Sequence, residues 1–231
     1  MDYSTLEEFK KDVVVKIAEK LDISVSRKTK KQLIDEIRLV KDERYKRIRQ
    51  IGTGKDAVTY LVKLGSKNMA MKTFKPRKSV NKISAEASMQ QSAFEVGISP
   101  KVIDVDLINK YIVMEKLDRH MVDIDTERIL KLDHQTQLVK LYEKLDEIGI
   151  FHGDPNPLNY MLKGKKLYVI DFGMSKIIDK KLIKKLGTDT PNMDLMTTGM
   201  VIKLIKMGYP RESYSYILDY MPMKIKETLG L

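Results

Sequence analysis

Phe151-His152-Gly153-Asp154-Pro155-Asn156-Pro157-Leu158-Asn159-Tyr160-Met161-Leu162, followed shortly by Ile170-Asp171-Phe172-Gly173, sets the reading of everything around it. A carboxylate, an amide five residues on and a second carboxylate on a separate strand are what phosphoryl transfer from a nucleotide needs. One acid orients the attacking hydroxyl, while the amide and the second acid hold metal ions against the phosphates. Singly, an Asp or Asn in a loop is most often a turn residue. The order and spacing carry the weight here.

Written as H-x-D-x-x-x-x-N and then D-F-G, the stretch resembles the eukaryotic-protein-kinase-like superfamily. The resemblance implies an α+β, two-lobed fold: an antiparallel sheet with a helix αC in the N-lobe, and a reduced helical C-lobe. It implies Asp154 as the catalytic aspartate, Asn159 and Asp171 as ligands of magnesium (Mg2+), ATP as the nucleotide, and Met161 packed beneath adenine. Hard oxygen donors suit a hard cation that also binds phosphate. His152 is expected to brace the loop rather than to move protons.

Upstream, the resemblance continues in order. Gly52-Thr53-Gly54-Lys55-Asp56-Ala57-Val58-Thr59-Tyr60 reads as strand, glycine turn and strand, and alternation from Tyr45 to Gln50 leads into it. Met69-Ala70-Met71-Lys72 then resembles the strand whose lysine pairs the nucleotide phosphates, with Ala70 beside the adenine. Glycines admit backbone N–H groups to phosphate, and a lysine supplies a compact charge. The run T-G-K-D-A-x-x-Y resembles the RIO kinases in particular. Gly52, Gly54, Lys55, Ala57 and Thr59 would form the nucleotide-covering turn, with Ala57 where many kinases have a third glycine and Thr59 where a valine is usual. Lys82 to Glu95 has helical character before Gly97 and Pro100; by the resemblance it is αC, with Glu86 pairing Lys72. Ile112-Val113-Met114-Glu115-Lys116-Leu117 resembles a hinge, with Met114 as gatekeeper and Glu115 and Leu117 offering backbone groups to adenine.

Downstream, Leu138, Leu141, Tyr142, Leu145 and Ile148 mark the helix that delivers the chain to His152. Tyr160–Leu162 and Leu167–Ile170 read as a hairpin about Gly164-Lys165. Gly153 replaces the arginine of H-R-D enzymes, and Asn156 stands where many protein kinases place a lysine. Lys176, Lys180, Lys181, Lys184 and Lys185 form a basic run, and no A-P-E follows. Asp194-Leu195-Met196-Thr197-Thr198-Gly199 resembles the start of αF, its aspartate expected to hold the catalytic loop. Residues 209–231 have room for one or two helices, a truncation shared with RIO and KEOPS-complex kinases.

Residues 5–21 place Leu6, Phe9, Val13, Val14, Ile17, Ala18 and Leu21 at helical spacing, with Ser4 and Glu7 as a capping box. Ile23 and Val25 suggest an extended link, and Thr29 with Gln32 a cap for a second helix through Leu33, Ile34 and Ile37. This resembles SAP-type helix-extended-helix modules, with Arg27, Lys28, Lys30 and Lys31 as phosphate contacts; the competing reading is a helical pair packed on the kinase lobe. The expected division is a module over 1–42 and a minimal kinase-like domain over 43–231, its lobes at 43–116 and 117–231.

A chain of 231 residues with 42% apolar content has room for one two-lobed domain and an appendage. No apolar run approaches the roughly 18 residues that span a bilayer, the N-terminus lacks the order of a secretory signal, and zero cysteines exclude a disulfide framework. The expectation is a cytoplasmic, reducing location and no membrane. A net charge of +11 makes polyanions plausible partners, nucleic acid among them. The leading function is a minimal atypical serine/threonine kinase acting on a protein substrate, autophosphorylation included. The alternatives are a RIO/KEOPS-like ATPase switch on ribonucleoprotein and a small-molecule kinase of the aminoglycoside or choline type. The last is disfavoured because Leu117 to His152 leaves room for only one short helix besides the helix ending at Ile148.

Overall fold

The computed structural model describes residues 6–122 and 129–231, without the side chains of residues 38–43. The elements run α1 (Lys11–Glu19), α2 (Lys30–Glu43), β1 (Lys46–Thr53), β2 (Ala57–Leu64), β3 (Lys67–Phe74), α3 (Val80–Glu95), β4 (Val102–Asp106), β5 (Tyr111–Glu115), β6 (Arg119–His120), α4 (Leu132–Glu147), β7 (Ile150–Phe151), β8 (Tyr160–Lys163), β9 (Lys166–Val169), β10 (Lys176–Ile177), α5 (Lys180–Leu186), α6 (Thr197–Lys206), α7 (Ser215–Asp219) and α8 (Met223–Leu229). They form the kinase-like α+β arrangement expected: an antiparallel sheet with a helix, then a helical C-terminal part. The chain divides into two compact units, one of residues up to Ala85 with Val102–Lys116, the other of Glu86–Lys101 with Leu117–Leu231.

In the first unit the five strands pair antiparallel in the order β1-β2-β3-β5-β4. Tyr45, Val62, Met69, Met71, Tyr111 and Val113 bury one face. The alternation expected from Tyr45 to Gln50 does not hold. Register shifts between Arg47 and Arg49 and between Gln50 and Gly52 interrupt β1, and Lys46 to Ile51 are all exposed. An extra residue at each bulge breaks the two-residue period.

The N-terminal helical pair closes over Leu6, Val14, Ile17, Ala18, Ile23, Leu33, Ile34 and Ile37, with Ile108 from the β4–β5 turn packed against them. It therefore has a small core of its own, which the β4–β5 turn touches through Ile108. Thr29 and Gln32 cap α2 as expected: Gln32 N–H donates to Thr29 Oγ1 (3.2 Å) and Thr29 N–H to Gln32 Oε1 (2.8 Å). Helix α1 begins at Lys11, later than its apolar spacing suggested, because Leu6 is buried from the turn before it. Ser4 lies outside the described residues. Two of the four expected phosphate contacts are used inside the pair: Lys28 bonds Glu36 and Lys30 bonds the Glu7 carbonyl. Past α2, Arg44 (2.5 Å) and the Tyr45 hydroxyl (3.3 Å) both donate to Asp104 on β4.

The second unit is built round α4, whose Leu138, Val139, Leu141, Tyr142 and Leu145 are buried against β8, β9, α6 and α7. At roughly 1.5–3 kcal/mol per fully buried large apolar side chain, this cluster is what holds the catalytic loop's surroundings rigid. The hairpin about Gly164-Lys165 forms as expected, and β6 adds a third strand to it. Among the described residues between Leu117 and His152, α4 is the only helix; residues 123–128, where the short helix could fall, lie outside them. No described helix is long and apolar enough to cross a membrane.

Candidate active site

In the second unit, Asp154, Asn159 and Asp171 come from one loop and one strand end. Asn159 lies on a short 3-10 turn, Pro157–Asn159, capped by the Asn156 side chain, which accepts from Leu158 N–H at 3.1 Å. Its amide nitrogen donates to Asp154 Oδ2 at 2.9 Å. Asp154 Oδ1 accepts from Asn156 N–H at 3.2 Å. The half-buried carboxylate is thus held by two donors and cannot swing freely. Asn159 Oδ1 remains as the amide's acceptor. Ile170 N–H donates to the Asn159 carbonyl at 2.9 Å, so Asp171 follows directly on the residue tied to Asn159. Asp171 itself adopts a left-handed backbone (φ 65°, ψ 70°) and caps the next turn through Gly173 N–H. That conformation costs a non-glycine residue about 1–3 kcal/mol and is found mainly where function over-determines it.

His152 behaves as a brace. It is fully buried, its ring 5.2 Å from Phe172 in an edge contact, and its Nε2 lies 3.1 Å from the Ile170 carbonyl. Burial pushes its imidazole down, so the neutral ring donates from Nε2 and leaves Nδ1 without a partner. Tyr142 donates to the Tyr160 hydroxyl at 3.0 Å below it, and burial pushes both phenols up, keeping them protonated. Gly153 has φ +78°, and a Cβ there would stand 3.0 Å from the Met174 carbonyl. An arginine, as in H-R-D enzymes, would be strained in this left-handed backbone.

The residue that holds the loop is not Asp194. That carboxylate accepts from Thr188 Oγ1 instead. The brace is Asn192, at the start of a π-type turn (Asn192–Met196) that runs into α6. Asn192 Oδ1 accepts from His152 N–H (3.0 Å), and its Nδ2 donates to the Ile150 carbonyl (2.8 Å) and to Asp146 Oδ1 (2.7 Å). Asp146 in turn accepts from the backbone N–H groups of Asn192 (3.0 Å) and Met193 (2.9 Å). The wide turn shifts the useful side chain two residues upstream of the motif's aspartate. Ser175 Oγ donates to the His152 carbonyl (3.1 Å), and His120 Nδ1 to the Leu158 carbonyl (2.9 Å). Gly199 packs so closely that a Cβ would lie 2.5 Å from Pro155 Cγ. None of Asn192, Asp146, His120 and Ser175 carries a sequence signal for these contacts, and Gly199 falls in the αF-like motif without pointing to Pro155.

In the first unit, Lys72 lies on β3 opposite Thr59 of β2 and Ile112 of β5, its ammonium 5.4 Å from the Phe74 ring. Ala70 sits opposite Leu61 and Met114. Ala57 and Met114 are buried, Thr59 and Glu115 half-buried, Lys55 exposed. The glycine turn is closed by Gly54 N–H to the Ala57 carbonyl (2.8 Å). Lys75 reaches the Gly54 and Lys55 carbonyls, and Arg77 the Lys55 carbonyl and Asp56. Opposite Thr59, a Cβ on Gly52 would meet nothing nearer than 3.6 Å, and one on Gly54 nothing nearer than 3.7 Å. The fold has room for a Cβ at both positions, so packing does not require glycine at either. Glu86 is buried on α3, in the second unit as are Leu117 (buried) and Met161 (half-buried).

Among the described residues no cluster of three or more His, Cys, Asp or Glu forms a ready cation cage. A magnesium site of one amide and one carboxylate completed by phosphates needs none, and Asn159 Oδ1 with Asp171 fits that donor set.

Residues 77–190 match the model of the ABC1 atypical kinase-like domain. The chain is 31% identical over 139 residues to the KEOPS complex subunit Bud32 of Pyrococcus abyssi, covering 57% of this chain and 61% of that protein. It is 30% identical over 105 residues to a probable serine/threonine-protein kinase BUD32 homologue of Archaeoglobus fulgidus, covering 45% and 50%. It is 32% identical over 162 residues to a probable bifunctional tRNA threonylcarbamoyladenosine biosynthesis protein of Methanobrevibacter smithii, covering 66% and 28%. The matches thus span less than two thirds of each relative's length. A crystal structure of a kinase domain superposes with a TM-score of 0.51 at 16% identity, over 59% of this chain and 52% of that one, which shows the fold alone. The protein carries an atypical kinase-like domain, distantly homologous to the archaeal Bud32 kinases.

Proposed function

We propose that this protein is an ATP-dependent phosphotransferase that passes the γ-phosphate to a serine or threonine hydroxyl of a protein, its own chain included. Residues 43–231 form the catalytic domain and the first 42 an appended helical module. The observation that carries the reading is the Asp154–Asn159 contact at 2.9 Å, which fixes a carboxylate beside an amide whose oxygen is left to a cation. The substrate hydroxyl gives up its proton toward Asp154 as its oxygen bonds to the γ-phosphorus, and ADP leaves with the bridging oxygen. Asn159 and Asp171 would hold Mg2+, which supplies neutralisation of the phosphate charge. Lys72 adds a cation to the phosphates, and Glu86 keeps the supporting role that the kinase resemblance implies. Gly52, Gly54, Lys55, Ala57 and Thr59 cover the phosphates, while Ala70, Met114, Glu115, Leu117 and Met161 receive adenine.

A second reading, ATP hydrolysis within a KEOPS-like assembly, is favoured by Asn156. Its side chain is spent on capping Leu158 N–H, so this position offers no cation to a transferring phosphate. Incubation with γ-labelled ATP and magnesium, with and without protein acceptors, separates the two. Label on protein that drops about 10²–10⁴-fold in Asp154→Ala, and also vanishes in Asp171→Ala, supports transfer. Release of inorganic phosphate without labelled protein supports hydrolysis. Unchanged labelling in both variants overturns the assignment of the site.

A further inference from the structure

The chain's excess positive charge is not spread evenly. From Arg44 to Lys75 the sequence carries Arg44, Lys46, Arg47, Arg49, Lys55, Lys63, Lys67, Lys72 and Lys75 against one acid, Asp56, which is paired with Arg77. Of these, Lys46, Arg47, Arg49, Lys63 and Lys67 are exposed on strands β1, β2 and β3, and among the described residues none of the five makes an ion pair. Lys46 stands directly opposite Lys63 in the ladder. Like charges at that spacing destabilise a strand pair, and among the described residues no carboxylate pairs with either. Such a cost is consistent with a surface that meets an anion.

Strand β1 is one of the two edge strands of the sheet, β4 being the other. Charged residues and bulges are also the ordinary means of keeping an edge from pairing with another sheet. That function is met by one or two charges of either sign; it accounts neither for the missing acids nor for Lys46 facing Lys63. Arg47 adds a further feature. Its guanidinium lies 5.0 Å from the centroid of the half-buried Tyr60 ring. Stacking holds the planar fork in place while its N–H groups remain available to phosphate, and guanidinium and ring together offer flat surface to a base.

We propose that the exposed edge strand β1, with Lys46, Arg49 and Lys63 on one face of the sheet and Arg47 with Tyr60 on the other, is the track for a single strand of nucleic acid that runs along this edge. The surface belongs to the sheet and not to the N-terminal helical pair, where Lys28 and Lys30 are already engaged within the pair. A second basic patch, the exposed Lys180, Lys181, Lys184 and Lys185 of α5, has lysines only and no aromatic neighbour in its stretch. It offers charge without a stacking surface and so serves as the control. The proposal does not depend on phosphotransfer.

The test is fluorescence anisotropy of labelled single-stranded RNA and DNA oligonucleotides with the full chain across a salt series. Arg47→Gln/Arg49→Gln is compared with Lys180→Gln/Lys184→Gln, which removes the same charge elsewhere. The β1 variant is expected to bind roughly tenfold more weakly and to lower the slope of log affinity against log salt by about 1.4, two phosphate contacts on a single strand. The α5 variant should stay within about twofold of wild type. Tyr60→Leu, which keeps the apolar packing, should lose the preference for an oligonucleotide over an abasic strand of equal length. Equal loss in both double variants means diffuse charge and overturns the proposal. So does equal affinity for poly-glutamate, which would make the occupant an acidic protein. A thermal melt for each variant checks that it is folded, and Arg47→Lys/Arg49→Lys, which keeps the charge, should retain most of the salt slope.

Discussion

The catalytic loop and the glycine turn are both phosphate-handling loops by motif, yet they are held in opposite ways. The loop about Asp154 is fixed from beneath by buried and half-buried groups: buried Asn192 on half-buried Asp146, buried His152 against buried Phe172, and half-buried Gly199 against Pro155. The glycine turn is fixed from outside, by exposed Lys75 and Arg77 reaching its carbonyls. Buried hydrogen bonds are expensive to break because the groups left behind stay desolvated. Exposed ones exchange with water at little cost. The loop that carries Asp154, proposed as the catalytic acid, is therefore the more firmly held, and the glycine turn, proposed to admit a nucleotide, is only lightly clamped.

The comparison breaks first at Asn192. Asn192→Ala removes three side-chain hydrogen bonds and leaves Asp146 with only the backbone N–H donors of residues 192 and 193. A loss of about 2–4 kcal/mol is expected, seen as a fall in Tm of roughly 5–12 °C for a chain of this size. Phosphotransfer should fall with kcat rather than KM, because the loop and not the nucleotide contacts is disturbed. A melt unchanged within a degree would show that the brace is not what holds the loop.

The glycines sharpen the contrast next. An alanine inside a helix normally gains about 1 kcal/mol over glycine, so Gly199→Ala ought to stabilise α6. The Pro155 ring 2.5 Å from the new Cβ reverses the sign, and a net loss of about 1–3 kcal/mol is expected from overpacking. Gly54→Ala meets only ordinary contacts and should leave the melt within about 2 °C while weakening ATP binding by titration. Should Gly54→Ala unfold the protein, the turn would be a structural element, and the division between the two loops would fail.

How much of this was legible in the sequence follows from the range of each interaction. Asp154, Asn159 and Asp171 fall in two short motifs, and their spacing alone announces them. The Thr29–Gln32 cap is equally local. Asn192 acts on a backbone forty residues away, and the π-type turn that delivers it leaves no periodic trace, so the motif's own aspartate drew the assignment. Strand β1 misleads because bulges cancel the alternation by which strands are recognised. Helix α1 misleads because Leu6 reaches the same small core without being helical, so apolar spacing overstates the helix. Gly153 reads in the sequence as a missing arginine, but that its left-handed backbone and the Met174 carbonyl would strain any side chain there is visible only in three dimensions.

The smallest effect tests the exposed clamp itself. Arg77 lies 2.8 Å from Asp56 and holds that carboxyl below its usual 3.8, chiefly through the hydrogen bond. A depressed folded-state value means that the pair's contribution is present above the unfolded value and fades as pH falls through the folded one. Because both groups are exposed, the stability change should be too small for a melt to register, and the readout is the Asp56 carboxyl itself. Titration of its carboxyl carbon by NMR should show the midpoint returning toward 3.8 in Arg77→Ala, and moving back down when nucleotide-free wild type is measured at low salt. A midpoint unmoved by Arg77→Ala would mean that the lysines about the turn, not this fork, set its electrostatics. The outer clamp of the glycine turn would then be Lys75 on the Gly54 and Lys55 carbonyls, beside the Gly54–Ala57 bond, and the contrast with the buried loop would rest on that lysine.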